Sequence, residues 1–182
     1  MNRLFQFGSL MLVALVFASF MPTNNTPTVE GGDAVKWYSW EEAVAANKKK
    51  KKKIFVDVYT DWCGWCKRMD KTTFSDPAIV KHMNDNFYCV KLDAEQKGVI
   101  NYNGHPYKFV ANYGRKGVHE FAFTLLDGTM SYPQYVFLDE SESKLIVSKG
   151  YKQVDDFMKE LKYISSNSYK ETSLDTYKSK AK

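Results

Sequence analysis

"TDWCGWCKRMD", residues 60–70, follows directly on the apolar run "IFVDVY" and holds two of the three cysteines of the chain. Such a pair can staple a fold, hold a metal or pass electrons, and the surrounding sequence weighs these against one another. A chain of 182 residues with 44% hydrophobic and 15% aromatic side chains can build the core of one ordinary domain without a cross-link. Disulfide scaffolds are small and cysteine-dense, and closing so short a loop removes little unfolded-chain entropy, so bracing is a poor use for Cys63 and Cys66. A structural zinc site wants four ligands, whereas only Cys89 and the scattered His82, His105 and His119 remain. "HEFAF" lacks the second histidine at the interval that metal-binding helices use. No metal is therefore expected. The formal charge of +5 is mild and owes much to one lysine run, which argues against nucleic acid as a partner.

The N-terminal stretch reads as an address. One charge, Arg3, precedes the twelve largely apolar residues "LMLVALVFASFM", the length of a signal h-region and short for a membrane span. Residues 1–18 are expected to be a signal peptide cleaved after Ala18, and the competing reading is an uncleaved anchor reaching residue 21. Either way the domain is exported, to the periplasm or the extracellular space. Residues 19–36, which include "PTNNTPTVEGGD", are expected to be a flexible linker.

Periodicity outlines the rest. Ser39 with Glu42 three residues on is a capping box opening a short helix, and Lys48 to Lys53 fall at its end, where cations complement the helix dipole. "IFVDVYT" is a buried strand, and the cysteine stretch is the turn from that strand into a helix. Asp76-Pro77 starts a helix with Ile79, Val80, Met83 and Phe87 on one stripe, and "YCVKLDAE" returns to strand, with Cys89 a buried and inert thiol. Residues 97–131 are broken by glycines, with short helices expected around "YKFVANYG" and "GVHEFAFTLL". "QYVFLDE" and "KLIVSKGY" form a hairpin, and "QVDDFMKELKYIS" is a closing helix with Val154, Phe157, Met158 and Leu161 inward. Residues 166–182 are expected to be a polar, frayed tail. The order αβαβ, helices, ββα makes an α/β fold, a mixed sheet with helices on both faces.

A helix starting near Cys63 sets that sulfur beside unpaired N–H groups and the positive end of the dipole, which favours thiolate. A free cysteine titrates near pH ~8.5, and a C-x-x-C position at a helix N-terminus brings it to about 3.5–7.5. Cys66 lies about one turn on, roughly 5 Å away, so the pair can close reversibly. Asp57 sits in an apolar strand, where a carboxylate without a partner or a role is costly. Trp62 and Trp65 flank the nucleophile as a rim on which another chain can pack.

"VDVYTDWCGWC" resembles the active site of the thioredoxin superfamily, with the resemblance running from Trp37 to Ser165 and closest to its exported thiol–disulfide interchange members. It implies a domain over residues 37–165 with a thioredoxin-like mixed sheet, flanked by helices, and a helical insertion, 97–128, before the cis-proline strand. It implies that Cys63 attacks, that Cys66 resolves, that Asp57 moves a proton for Cys66, and that Lys91 supports Asp57. In "SYPQYVF" it implies a cis Tyr132–Pro133 bond packed against the disulfide, so that Trp62, Gly64, Trp65, Tyr132 and Pro133 meet the substrate. The motif interior is Gly64-Trp65 rather than the Gly-Pro of thioredoxin itself, and Tyr132 is bulkier than usual.

The function implied is that of a thiol–disulfide oxidoreductase reducing protein disulfides outside the cytoplasm. No cofactor is implied beyond the redox-active disulfide Cys63–Cys66. The partners are protein thiol or disulfide substrates and an upstream redox donor, with membrane contact only if the N-terminal segment is retained. A non-catalytic thioredoxin-like binding module and a copper-handling chaperone are the competing readings.

Overall fold

Seven residues, Lys53–Tyr59, run through the middle of the molecule in the computed structural model, which describes residues 34–180. The expected signal peptide or anchor, and the linker up to residue 33, lie outside the described residues. Residues 34–36, expected as linker, belong to the domain instead. Val35 is buried in the core, and Asn84 bonds the Lys36 N–H and the Ala34 carbonyl at 2.8 and 3.1 Å.

The chain order is β1 (Trp37–Tyr38), α1 (Trp40–Lys49), β2 (Lys53–Tyr59), α2 (Gly64–Lys71), α3 (Pro77–Asn86) and β3 (Phe87–Asp93). Two small ladders follow, β4 (Ile100–Tyr102) with β5 (His105–Tyr107) and β6 (Phe109–Val110) with β7 (Val118–His119), then α4 (Glu120–Leu125). β8 (Gln134–Leu138), β9 (Lys144–Lys149), α5 (Val154–Ser165) and α6 (Leu174–Lys180) complete it. The main sheet has the order β1-β3-β2-β8-β9, parallel from β1 to β2 and antiparallel from β2 to β9.

β2 is central because its sequence can bury both faces. Side chains alternate across a strand, so Ile54, Val56 and Val58 enter one core with Trp40 of α1 and Phe121, Ala122 and Leu125 of α4. Phe55 enters the other with Met69 of α2, Ile79, Val80 and Met83 of α3, and Phe157 and Leu161 of α5. Asp57 shares the parity of Phe55 and so faces the α2 side. The helix starts are local chemistry. Ser39 and Glu42 close a capping box, and the Asp76 carboxylate accepts from the N–H groups of Ala78 and Ile79 with Pro77 in the first turn.

Two expectations are corrected. The insertion is largely not helical: within 97–128 only α4 is helix, and "YKFVANYG" makes strand and turn, because Gly98, Gly104, Gly114 and Gly117 break any helical run and cross-strand pairing takes over. Buried His119 fastens the insertion. Its Nδ1 accepts the Phe121 N–H at 3.2 Å, which leaves the proton on Nε2 to donate to the Gly98 carbonyl at 2.8 Å. The tail is also not frayed through residue 180. A 3-10 turn at Ser168–Lys170 and α6 lay Tyr169, Leu174 and Tyr177 against the α5 side of the core, and Lys178 meets buried Glu160 of α5 at 2.6 Å.

Gly117 has φ +76°, and a Cβ there would fall 2.2 Å from Phe109 Cζ and 2.7 Å from the Val110 carbonyl oxygen, whereas Gly114 has φ +63° with open space around it. Gly114→Ala should therefore cost about 1–2 kcal/mol, the backbone strain alone, and Gly117→Ala distinctly more. Urea unfolding of the two variants checks this, and equal losses would contradict it.

Candidate active site

β2 ends at Tyr59, and the chain turns at once into α2. The Thr60 carbonyl accepts the Cys63 N–H at 3.0 Å, and Cys63 takes the cap position with extended backbone, φ −73° and ψ 101°. Its sulfur does the work of a capping oxygen, accepting the Cys66 N–H at 3.1 Å. Cys63 and Cys66 are joined by a disulfide with their Cα atoms 5.3 Å apart. No acidic residue lies in the first turn of α2, so the helix dipole at Cys63 is uncompensated there. The donor that now meets a bonded sulfur would favour the charged form of a free one.

Cys63 is less open than a helix start suggests, with 5% of its surface exposed. A bonded sulfur that also accepts an N–H offers little area, and the open surface passes to Trp62 and Trp65, 54% and 55% exposed. Trp62 is held from three sides. Its indole N–H donates to Glu95 at 2.8 Å, the Tyr132 ring meets it edge-on at 5.8 Å, and the Lys116 ammonium stands 5.5 Å from its centroid. Trp65 leans on Tyr151, with the Arg68 guanidinium about equally close to both rings. Gly64 leaves the surface between the two tryptophans clear, with nothing within 4 Å of where a Cβ would stand.

The peptide Tyr132–Pro133 is cis. Buried Gln134 shapes the loop before it, donating to the carbonyls of Thr129 and Ser131 at 2.6 and 2.7 Å. Burial, with Glu95 and Asp93 nearby, pushes the Tyr132 hydroxyl up to about 12, so it stays neutral at any ordinary pH.

Asp57 pairs in register with Lys91 of β3 on one side and Tyr135 of β8 on the other. The Lys91 ammonium lies 2.8 Å from its carboxylate and also bonds Asp70 of α2, so one lysine ties the sheet to the helix that begins at the disulfide. The rings of Trp37, Tyr59 and Phe74 surround that ammonium. Burial pulls the Lys91 pKa down, and the two carboxylates outweigh it and hold it above its usual value. For Asp57, 1% exposed, burial wins over Lys91 and raises the carboxyl to about 6. Asp57 Oδ1 and the Tyr135 hydroxyl are buried without a hydrogen-bond partner among the described residues. Sequence reasoning missed Asp70, Glu95, Gln134 and Tyr135; only the pairing register and the path of the insertion bring them in.

The remaining titratable candidates stay apart. Cys89 is buried in β3, and burial pushes its thiol far above the ordinary cysteine range. His82 bonds Ser165, His105 packs on Tyr107, and His119 fastens the insertion.

A mixed sheet with helices on both faces and a C-x-x-C disulfide at a helix start defines a protein of the thioredoxin superfamily. Within it, the family model described as Thioredox_DsbH, "Protein of unknown function, DUF255", matches residues 29–167, and the chain belongs to that family. Spermatogenesis-associated protein 20 of Mus musculus is 39% identical over 64 residues, 35% of this chain and 8% of that protein. The thiol:disulfide interchange protein DsbD of Pectobacterium atrosepticum is 42% identical over 40 residues, 22% of this chain and 7% of that protein. The chain thus spans under a tenth of either relative. A thioredoxin-fold protein from Helicobacter pylori superposes with a TM-score of 0.56 at 15% identity, over 82% of this chain and 92% of that one, a likeness of fold.

In an unfolded chain an aspartate ionises near pH ~3.9, whereas folded Asp57 ionises only near about 6. The folded state therefore holds the extra proton in between. The stabilising contribution of Asp57 is complete below about pH 4 and is lost as pH rises through about 6. Asp57→Asn should gain stability relative to the parent across that window and hold the gain above it. Urea titrations at pH 4 to 7 measure this, and a parent–variant difference that does not change with pH would contradict it.

Proposed function

We propose that this protein is a thiol–disulfide oxidoreductase that reduces protein disulfides outside the cytoplasm. The observation that carries the reading is the Cys63–Cys66 disulfide at the start of α2, with a backbone N–H already directed at the Cys63 sulfur. In the reduced protein the Cys63 thiolate attacks one sulfur of a client disulfide. A Cys63–client bond forms, the client bond breaks, and the first client thiolate leaves. Cys66 gives up its proton and attacks the Cys63 sulfur, releasing the second client thiolate and re-forming Cys63–Cys66, so two electrons pass from the pair to the client. Asp57, raised to about 6, is suited to receive the Cys66 proton at neutral pH, and Lys91 sets its charge. Trp62, Trp65 and Tyr132 form the client-facing surface.

The likeness to DsbD, a thiol:disulfide interchange protein by name, supports this class of chemistry. Export rests on the apolar N-terminal segment alone, and an upstream redox donor must regenerate the dithiol.

The reduced protein should accelerate dithiothreitol-dependent insulin reduction well above dithiothreitol alone, and Cys63→Ser should abolish the gain. Cys66→Ser should accumulate mixed disulfides that mass spectrometry locates at Cys63. An insulin rate equal to that of dithiothreitol, with no trapped species, would leave the domain a binding module.

A further inference from the structure

Against Trp62, the residue before Cys63, lies a groove of about 690 Å³ that the cysteine chemistry itself does not need. Four separate parts of the chain wall it: Trp62, one residue before Cys63; Glu95, just after β3; residues 113–118, at the turn of the insertion; and Met130 and Tyr132, in the loop before Pro133. The floor is mainly apolar, and Trp62 and Tyr113 are among the few large hydrophobic side chains left open to solvent. The turn is fixed in place, since β6 and β7 pair on either side of it and Gly117 is pressed against Phe109 and the Val110 carbonyl.

The rim is charged. Arg115 and Lys116 are exposed, and among the described residues neither forms an ion pair. Glu95 is the acidic residue of the lining, and its carboxylate is occupied by the Trp62 indole. Two cations against one carboxylate leave the lining one positive charge in excess, with the Lys116 ammonium directly over the ring that precedes the nucleophile.

We propose that this groove selects the clients of the enzyme. Its occupant is an extended peptide segment with a bulky apolar side chain and a neighbouring carboxylate, a few residues from the cysteine to be attacked. The inference rests on the oxidoreductase reading. The apolar floor takes the side chain, Arg115 and Lys116 take the carboxylate, and a lysine or arginine in its place meets repulsion. A peptide fits better than a small disulfide because the ligand must fill the groove and still reach past Trp62 to Cys63. Exposed pairs are individually weak, so two of them yield a preference of about five- to tenfold. Being exposed, they are screened by salt.

The test uses the oxidised full-length protein and two fluorescent dodecapeptides with serine in place of the client cysteine, alike except that glutamates beside a phenylalanine become lysines. Anisotropy at low salt should show the acidic peptide bound about five- to tenfold more tightly. The gap should narrow with added salt. The double variant Arg115→Glu, Lys116→Glu should reverse the order, and Met130→Ala should weaken both peptides. Equal affinities, an order unchanged in the double variant, or no binding of the acidic peptide would overturn the proposal. Reduction of neutral 2-hydroxyethyl disulfide reads the chemistry without the groove. Turnover of that compound without peptide discrimination sinks the groove alone. Peptide discrimination without turnover sinks the oxidoreductase reading and leaves a peptide site.

Discussion

The ion pair between Asp57 and Lys91 is the constraint around which the site is arranged. A carboxylate on a strand buried on both faces can find a partner only from the neighbouring strands or from the helix laid over it. Here β3 supplies Lys91 at the paired position, and α2 supplies Asp70 to the same ammonium. The orientation of α2 over β2 is thus tied to the charge beneath it, and α2 is the helix that carries Cys63 and Cys66 at its start. Stability alone does not explain such a pair, because desolvation of two buried charges commonly matches or exceeds their attraction. The carboxyl held at about 6 shows desolvation ahead of Lys91 at this position. In the proposed reaction a proton acceptor poised near neutral pH is a use that accounts for that cost.

Around this fixed centre the chain adds surface. The residues between β3 and β8 exceed what joining two strands requires, and they are held by short ladders and by His119 rather than by a helix of their own. Their effect is to bring Lys116 over Trp62, the residue before Cys63, and Arg115 to the rim of the same groove. In the proposed reading, chemistry and selectivity occupy different parts of the chain: the cysteines and Asp57 on the β2–α2 unit, the client-facing charge on the insertion. Trp62 touches both, since it adjoins Cys63 and lies under the Lys116 ammonium.

Legibility in the sequence followed the range of the interactions. The capping box at Ser39, the Asp76-Pro77 start and the strand before Cys63 are written in neighbouring residues, and they stand in the structure as read. The cysteine pair and Asp57 stood out because their residue types are conspicuous in their settings. The insertion was misread as helical because its ladders are two or three residues long and draw on pairings that no local periodicity announces. The tail was misread because Tyr169, Leu174 and Tyr177 are diluted by polar neighbours, and the docking contact for Lys178 is a glutamate buried in α5. Cys63 is nearly covered, because its disulfide and its cap bond with Cys66 take up most of its surface. The groove joins residues more than fifty positions apart and could be found only in three dimensions.

On the proposed function, the Cys63–Cys66 disulfide exchanges electrons in the folded protein. Equilibration in buffers of graded dithiothreitol ratio, followed by acid quenching, alkylation and mass spectrometry, tests it most directly. A redox-active pair gives a single two-electron transition at Cys63 and Cys66 with a midpoint above about −300 mV, the level below which structural disulfides resist biological thiols. Cys89, a free thiol, carries one label at every ratio and shows no transition. A pair that is reduced only when the protein unfolds, or only below that potential, would make the disulfide a brace and rule out electron exchange as its role.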